Sequence, residues 1–140
     1  MPQIGEVYSY PDYVYPDGDQ SDKRVIVTGI LASDDYVVAR STSQPYGRIR
    51  DPRCNHDRHY PSYYLGIIDD VFPLETWVTL ERFDDHDCRD FDGRVANRVV
   101  TRIGALEARI LRELLLCCAR ADDVTKLQQA AMQDHAATIR

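Results

Sequence analysis

The sequence predicts a mainly β domain, a small barrel with helices appended at its C-terminal end. Three observations carry this reading. Short β-branched or alternating segments recur up to Phe83, turn residues separate them, and the apolar pattern switches to helical spacing after Gly104. Strands first and helices last argue against a parallel βαβ sheet. At 140 residues, 44% hydrophobic and 29% charged, the chain is long enough to bury one core and ordinary in make-up.

Residues 4–8 (IGEVY) form the first expected strand. Residues 24–30 (RVIVTGI) are β-branched and read as a buried second strand. Ala32-Ser33-Asp34-Asp35 supplies a turn, so residues 36–40 (YVVAR) complete a hairpin. Residues 63–68 and 76–83 are two further strands, with Pro73 marking the break between them. Residues 10–22 and 43–61 are long loops, a length at which loops are usually functional or disordered. Over residues 105–120, apolar side chains at 106, 110, 111, 114, 115, 117 and 118 make a helical stripe. Asp122 is the expected cap of a second helix from about residue 123. The barrel and its first helix thus span 1–118, and the additional helix 119–140.

The opening MPQIGEVYSYPDY has neither a basic region nor an apolar run of the kind a signal peptide carries, and no stretch approaches the roughly 18 apolar residues of a membrane helix. A cytoplasmic location and no membrane partner are the default expectations. Cysteines stand at 54, 88, 117 and 118; the adjacent pair diverges on a helix, so reduced thiols are expected and a disulfide framework is not. The net charge of −6 excludes a surface that is basic throughout. Its distribution is uneven. Between residues 40 and 60, five arginines face two aspartates, a net of +3 that leaves −9 for the rest. Such asymmetry suits one basic binding face, or a solvated loop.

Several blocks, read in order, carry a resemblance. They are Gly5-Glu6-Val7-Tyr8, Lys23-Arg24-Val25-Ile26-Val27, residues 36–43 running into Thr42, Trp77-Val78-Thr79-Leu80, and Ile103-Gly104-Ala105-Leu106. Together they resemble the MazF/PemK family of toxin endoribonucleases. The resemblance implies an SH3-like barrel, a homodimer, a cognate antitoxin, and cleavage of single-stranded RNA (mRNA) without metal or other cofactor. Cleavage in that family proceeds by attack of the ribose 2′-OH on its own phosphate, and the catalytic pair falls on Arg24 and Thr42. The chain departs from the family at Val25, where a proline is usual, in its long 43–61 loop, and in its extra C-terminal helix.

A guanidinium at Arg24 suits charge neutralisation on phosphate, because it forks onto two oxygens and stays charged. It is a poor free base for the same reason. Thr42 can donate to a non-bridging oxygen, with Ser41 or Ser43 as neighbours in register. Arg40, Arg48, Arg50, Arg53 and Arg58, with His56, His59 and Tyr46, are the candidate RNA-binding residues. The imidazoles are also the candidates for proton transfer near neutrality. A competing zinc reading draws on Cys54, His56 and His59 with His86 and Cys88, but no C-x2-C spacing supports it and no metal is expected. The acidic run 84–90 lacks the calcium-loop pattern and reads as a solvated connection.

Overall fold

The computed structural model describes residues 1–11, 23–57 and 59–139. The expectations placed on residues 12–22 and on Arg58 lie outside them. Among the described residues, seven strands form one antiparallel sheet: β1 (Glu6–Tyr10), β2 (Lys23–Ile30), β3 (Tyr36–Thr42), β4 (Cys54–Asn55), β5 (Ser62–Ile68), β6 (Phe72–His86) and β7 (Thr101–Ala105). Their spatial order is β4-β5-β6-β3-β2-β1-β7, so the ladder stays open, with β4 and β7 at its edges. Three helices among the described residues accompany it: α1 (Cys88–Ala96), α2 (Ala108–Cys118) and α3 (Lys126–Thr138). The protein is mainly β with C-terminal helices, as the pattern predicts. No helix among the described residues is long and apolar enough to cross a membrane.

Period-2 alternation on the central strands sends side chains to two separate cores. Val7, Ile26, Val37 and Ala39 join Leu111, Leu114 and Leu115 of α2 and Met132 and Ala136 of α3 on one side. Tyr8, Val25, Val27, Tyr36 and Val38 pack around Phe91 of α1 on the other. The 84–90 run is therefore not a solvated connection. Its second half opens α1, where the Asp87 side chain caps the helix by accepting from Asp90 N at 3.0 Å. The single aromatic, Phe91, is fully buried against Tyr8 and Tyr36.

Three other boundaries move. Pro73 does not break a strand; β6 begins at Phe72, after a turn in which Asp70 takes a left-handed φ of 68°. Proline is tolerated there because the β5–β6 ladder is irregular between Gly66 and Ile68, so its missing N–H interrupts no regular pairing. Gly104 precedes no helix directly but sits in β7, opposite Val7, and its Cα lies so near Val71 that a Cβ would meet Cγ2 at 2.8 Å. The apolar stripe becomes helical only from Ala108. Thr125, not Asp122, caps the last helix, through a reciprocal capping box with Gln128.

β6 is long because it is bent. It pairs with the start of β3 through 83–86 and with its end through Trp77 and Val78, with a register shift between. That bend turns the end of β3 and the start of β2 towards a concave surface.

Candidate functional site

Two clefts adjoin at the bent corner. The smaller, about 290 Å³, is lined by Arg24 of β2, Thr42 of β3 and, across from them, Phe72 and Thr76 of β6. The larger, about 720 Å³, has a wall of β6 residues, loop side chains from 44–48 and 56–61, strand residues Lys23, Arg40 and Thr42, and Asp122 and Asp123 from beyond α2. Lys23, Thr42 and Gln44 line both.

The β2–β3 ladder sets the smaller cleft. Val25 pairs with Arg40, and one step further the Ser41 hydroxyl donates to the Arg24 carbonyl. Ser41 is thereby committed to the backbone. The Thr42 hydroxyl accepts from Gln44 N at 3.1 Å, a local turn that leaves its own hydrogen for donation. The Arg24 guanidinium is half-buried, donates to the Val71 carbonyl, and has no carboxylate partner among the described residues. One cation and one hydroxyl therefore line a shared concavity.

The arginines of residues 40–53 do not form one basic face. Arg40 is buried and pairs with Asp84 at 2.9 Å, and Arg82 reaches the same carboxylate at 3.1 Å. Arg50 forks onto Glu75 with two bonds of 2.8 Å. That fork, with a bond from the Tyr64 hydroxyl, holds the Glu75 carboxyl down at about 2. Arg53 donates to the Tyr64 carbonyl at 3.0 Å and lies over its ring. Arg48 differs. It lines the larger cleft, stacks over Tyr60 at 5.1 Å, donates to the Gln44 carbonyl at 2.9 Å, and has a buried Nε with no partner among the described residues. Burial pulls its pKa below the ordinary arginine value.

No family model, curated protein or solved structure matches this chain.

Tyr46 and His59 are exposed and line the larger cleft, where the His59 backbone N–H donates to Asp57 at 3.0 Å. His56 lines it too, but its Nε2 lies 3.2 Å from Cys54 Sγ and 3.8 Å from Cys117 Sγ. Burial first, and the Arg120 charge second, lower its pKa, while Asp122 opposes them. The expectation of reduced thiols is overturned at this point, because Cys54 and Cys117 are joined as a disulfide with Cα atoms 5.8 Å apart. Sequence could not pair them. They are 63 residues apart, one in a loop strand and the other in a helical stripe that accounts for it as core. His86 does not join Cys54; it packs edge-on against Phe91. Sequence reasoning also missed Lys23 and Gln44, whose types carry no distinctive spacing.

The smaller cleft offers a guanidinium and a hydroxyl, donors of the kind that an anion accepts from. The larger carries mixed charge, with Lys23, Arg48 and Arg82 against Glu81, Asp122 and Asp123. Its aromatic edges, Tyr46 and Tyr60, suit a planar group.

Proposed function

We propose that the protein is a metal-independent endoribonuclease that cuts single-stranded RNA, on a framework of the SH3-like type its sequence blocks resemble. The observation that carries this is the shared concavity of Arg24 and Thr42, with Arg24 held by a backbone carbonyl and not by a carboxylate. Two of the resembling blocks also meet in space, since Val7 pairs with Gly104 and Leu106 N donates to the Gly5 carbonyl at 2.9 Å.

In the proposed reaction the ribose 2′-oxygen attacks the adjacent phosphorus and the 5′-oxygen leaves. The products are a 2′,3′-cyclic phosphate and a 5′-hydroxyl. Charge grows on the non-bridging oxygens, where the Arg24 fork and the Thr42 hydroxyl are placed to receive it. Lys23, at the junction of the clefts, adds a second cation for the phosphate chain. His59 is the imidazole assigned to proton transfer, because the His56 ring nitrogen faces the sulfurs. Tyr46, Tyr60 and Arg48 then form the stacking edge for a neighbouring base. A homodimer and an antitoxin belong to the same proposal. An acidic extended segment laid along Lys23 and Arg48 would compete with RNA for those charges.

A second reading has its own observation. The balanced charge of the larger cleft, with Arg40 and Arg50 already paired, favours a non-catalytic binding module on the same framework. Long RNA incubated with the purified protein in EDTA separates the two. Fragments ending in cyclic phosphate, lost in Arg24→Ala, are the expected result. Intact RNA with the wild type leaves the module.

A further inference from the structure

We infer that Cys54, His56 and Cys117 form a site for a thiophilic divalent cation of the zinc class, filled when the two sulfurs are reduced and closed when they are joined. One Nε2 and two Sγ atoms lie within 4.8 Å of one another. A disulfide that only fastens a loop needs no imidazole, yet His56 points its ring nitrogen at both sulfurs. The arrangement follows from local structure. Cys54 opens β4 and His56 follows directly after it, and their side chains converge with Sγ 3.2 Å from Nε2. Cys117 comes from the last turn of α2.

Both supports are held independently of the sulfur–sulfur bond. Cys54 pairs with Tyr63 across β4–β5, and Tyr64 N donates to the Arg53 carbonyl at 2.8 Å. α2 is fixed by the buried Leu114, Leu115 and Cys118. Arg120 donates to Cys54 Sγ at 3.3 Å, the outer hydrogen bond that steadies a thiolate ligand. Two Cys and one His leave the fourth tetrahedral position open. His56 and Asp122 line the same cleft, so water or that carboxylate completes the set.

The two states exclude each other by stoichiometry. A dithiol reductant passes two electrons and two protons to the disulfide, giving two thiols and the oxidised dithiol. The incoming cation then displaces both thiol protons to solvent, and the neutral His56 ring supplies its lone pair. Two thiolates cancel the ion's charge. The site is distinct from the Arg24–Thr42 cleft and does not depend on the RNA reading.

The test uses the full chain reduced with a phosphine, which delivers the same two electrons without offering a competing thiol, and Co²⁺ as the spectroscopic probe. One equivalent is expected to bind with a thiolate-to-cobalt charge-transfer band that Zn²⁺ abolishes. Cys54→Ser and Cys117→Ser should each lose the band. His56→Ala should weaken zinc by more than the roughly 10–100-fold of an outer-sphere change. Oxidised wild type, folded and identical in sequence, should bind none. If reduction loosens the fold by circular dichroism, added Zn²⁺ should restore it. Substoichiometric cobalt, a complex without the thiolate band, equal binding by the oxidised chain, or a loosened fold that zinc leaves unchanged would each overturn the assignment.

Discussion

The two clefts share Lys23, Thr42 and Gln44 but are built by different means. The smaller stands on strands. Its arginine and its hydroxyl are fixed by ladder register and by single bonds to main-chain groups. The larger stands largely on loops, and side chains hold those loops: a disulfide, the Arg50–Glu75 fork, and the Trp77 indole donating to the Ile49 carbonyl at 2.9 Å. Most of the arginines from 40 to 53 are spent on such construction. The lesson concerns charge: a basic stretch in sequence marks a binding face only where its cations are not neutralised by carboxylates. Among the described residues that leaves Arg48 and Arg53, and of these Arg48 lines a cleft.

The largest expected effect lies on the loop side. Reducing Cys54–Cys117 without metal frees a closure of 63 residues, which chain entropy makes worth about 4 kcal/mol. Urea unfolding with and without reductant measures it. If Arg24 and Thr42 stabilise the transition state, RNA cleavage by the reduced protein, kept well below its unfolding midpoint, should lose only the share that His59 on the loop contributes and should still depend on Arg24. Residual cleavage that no longer depends on Arg24 would move the active site into the larger cleft.

Next in size is the strand side. Arg24→Ala should lower the cleavage rate by about 10²–10³-fold, the scale of removing one donor from a transition-state anion site. Arg50→Ala, whose charge Glu75 already takes, should change the rate only a few-fold. Equal losses from both would mean that general attraction to phosphate, and not a positioned fork, accounts for activity.

A smaller effect probes the join between the two. Trp77 pairs with Thr42 across β6–β3 while its indole N–H holds the loop. Trp77→Phe keeps an aromatic in the core but removes that bond and some volume, for a loss of about 1–2 kcal/mol. Amide exchange should quicken in residues 44–50 and stay unchanged in β2.

How far the sequence reveals this arrangement depends on the kind of interaction. Strands β2 and β3 are legible because their β-branched runs are buried on both sides, and α2 because its stripe faces one core. α1 escapes notice because a single aromatic, Phe91, anchors it among acids that read as solvated. Arg24 and Thr42 stand out only because the blocks that hold them resemble those of the MazF/PemK family. The fates of Arg40 and Arg50 are not legible, because their carboxylates lie 44 and 25 residues away. The Cys54–Cys117 pair is hidden for the same reason.

The smallest effect is a pH dependence confined to the loop. Glu75 is held at about 2, first by Arg50 and then by Tyr64, against an ordinary value of 4.5. A carboxyl depressed in the folded state adds stability above its unfolded pKa, and that addition fades as pH falls from about 4.5 through 2. Water reaches both side chains of the fork, so salt screens the gain and global unfolding should barely register it. The local environment should register it. The Arg50 guanidinium lies 5.6 Å from the Trp77 ring, so acid release of the fork should shift tryptophan emission at low salt. Glu75→Gln should abolish that transition while leaving Arg24-dependent cleavage intact. Loss of cleavage in Glu75→Gln would show instead that the loop fork and the strand-built cleft act as one unit.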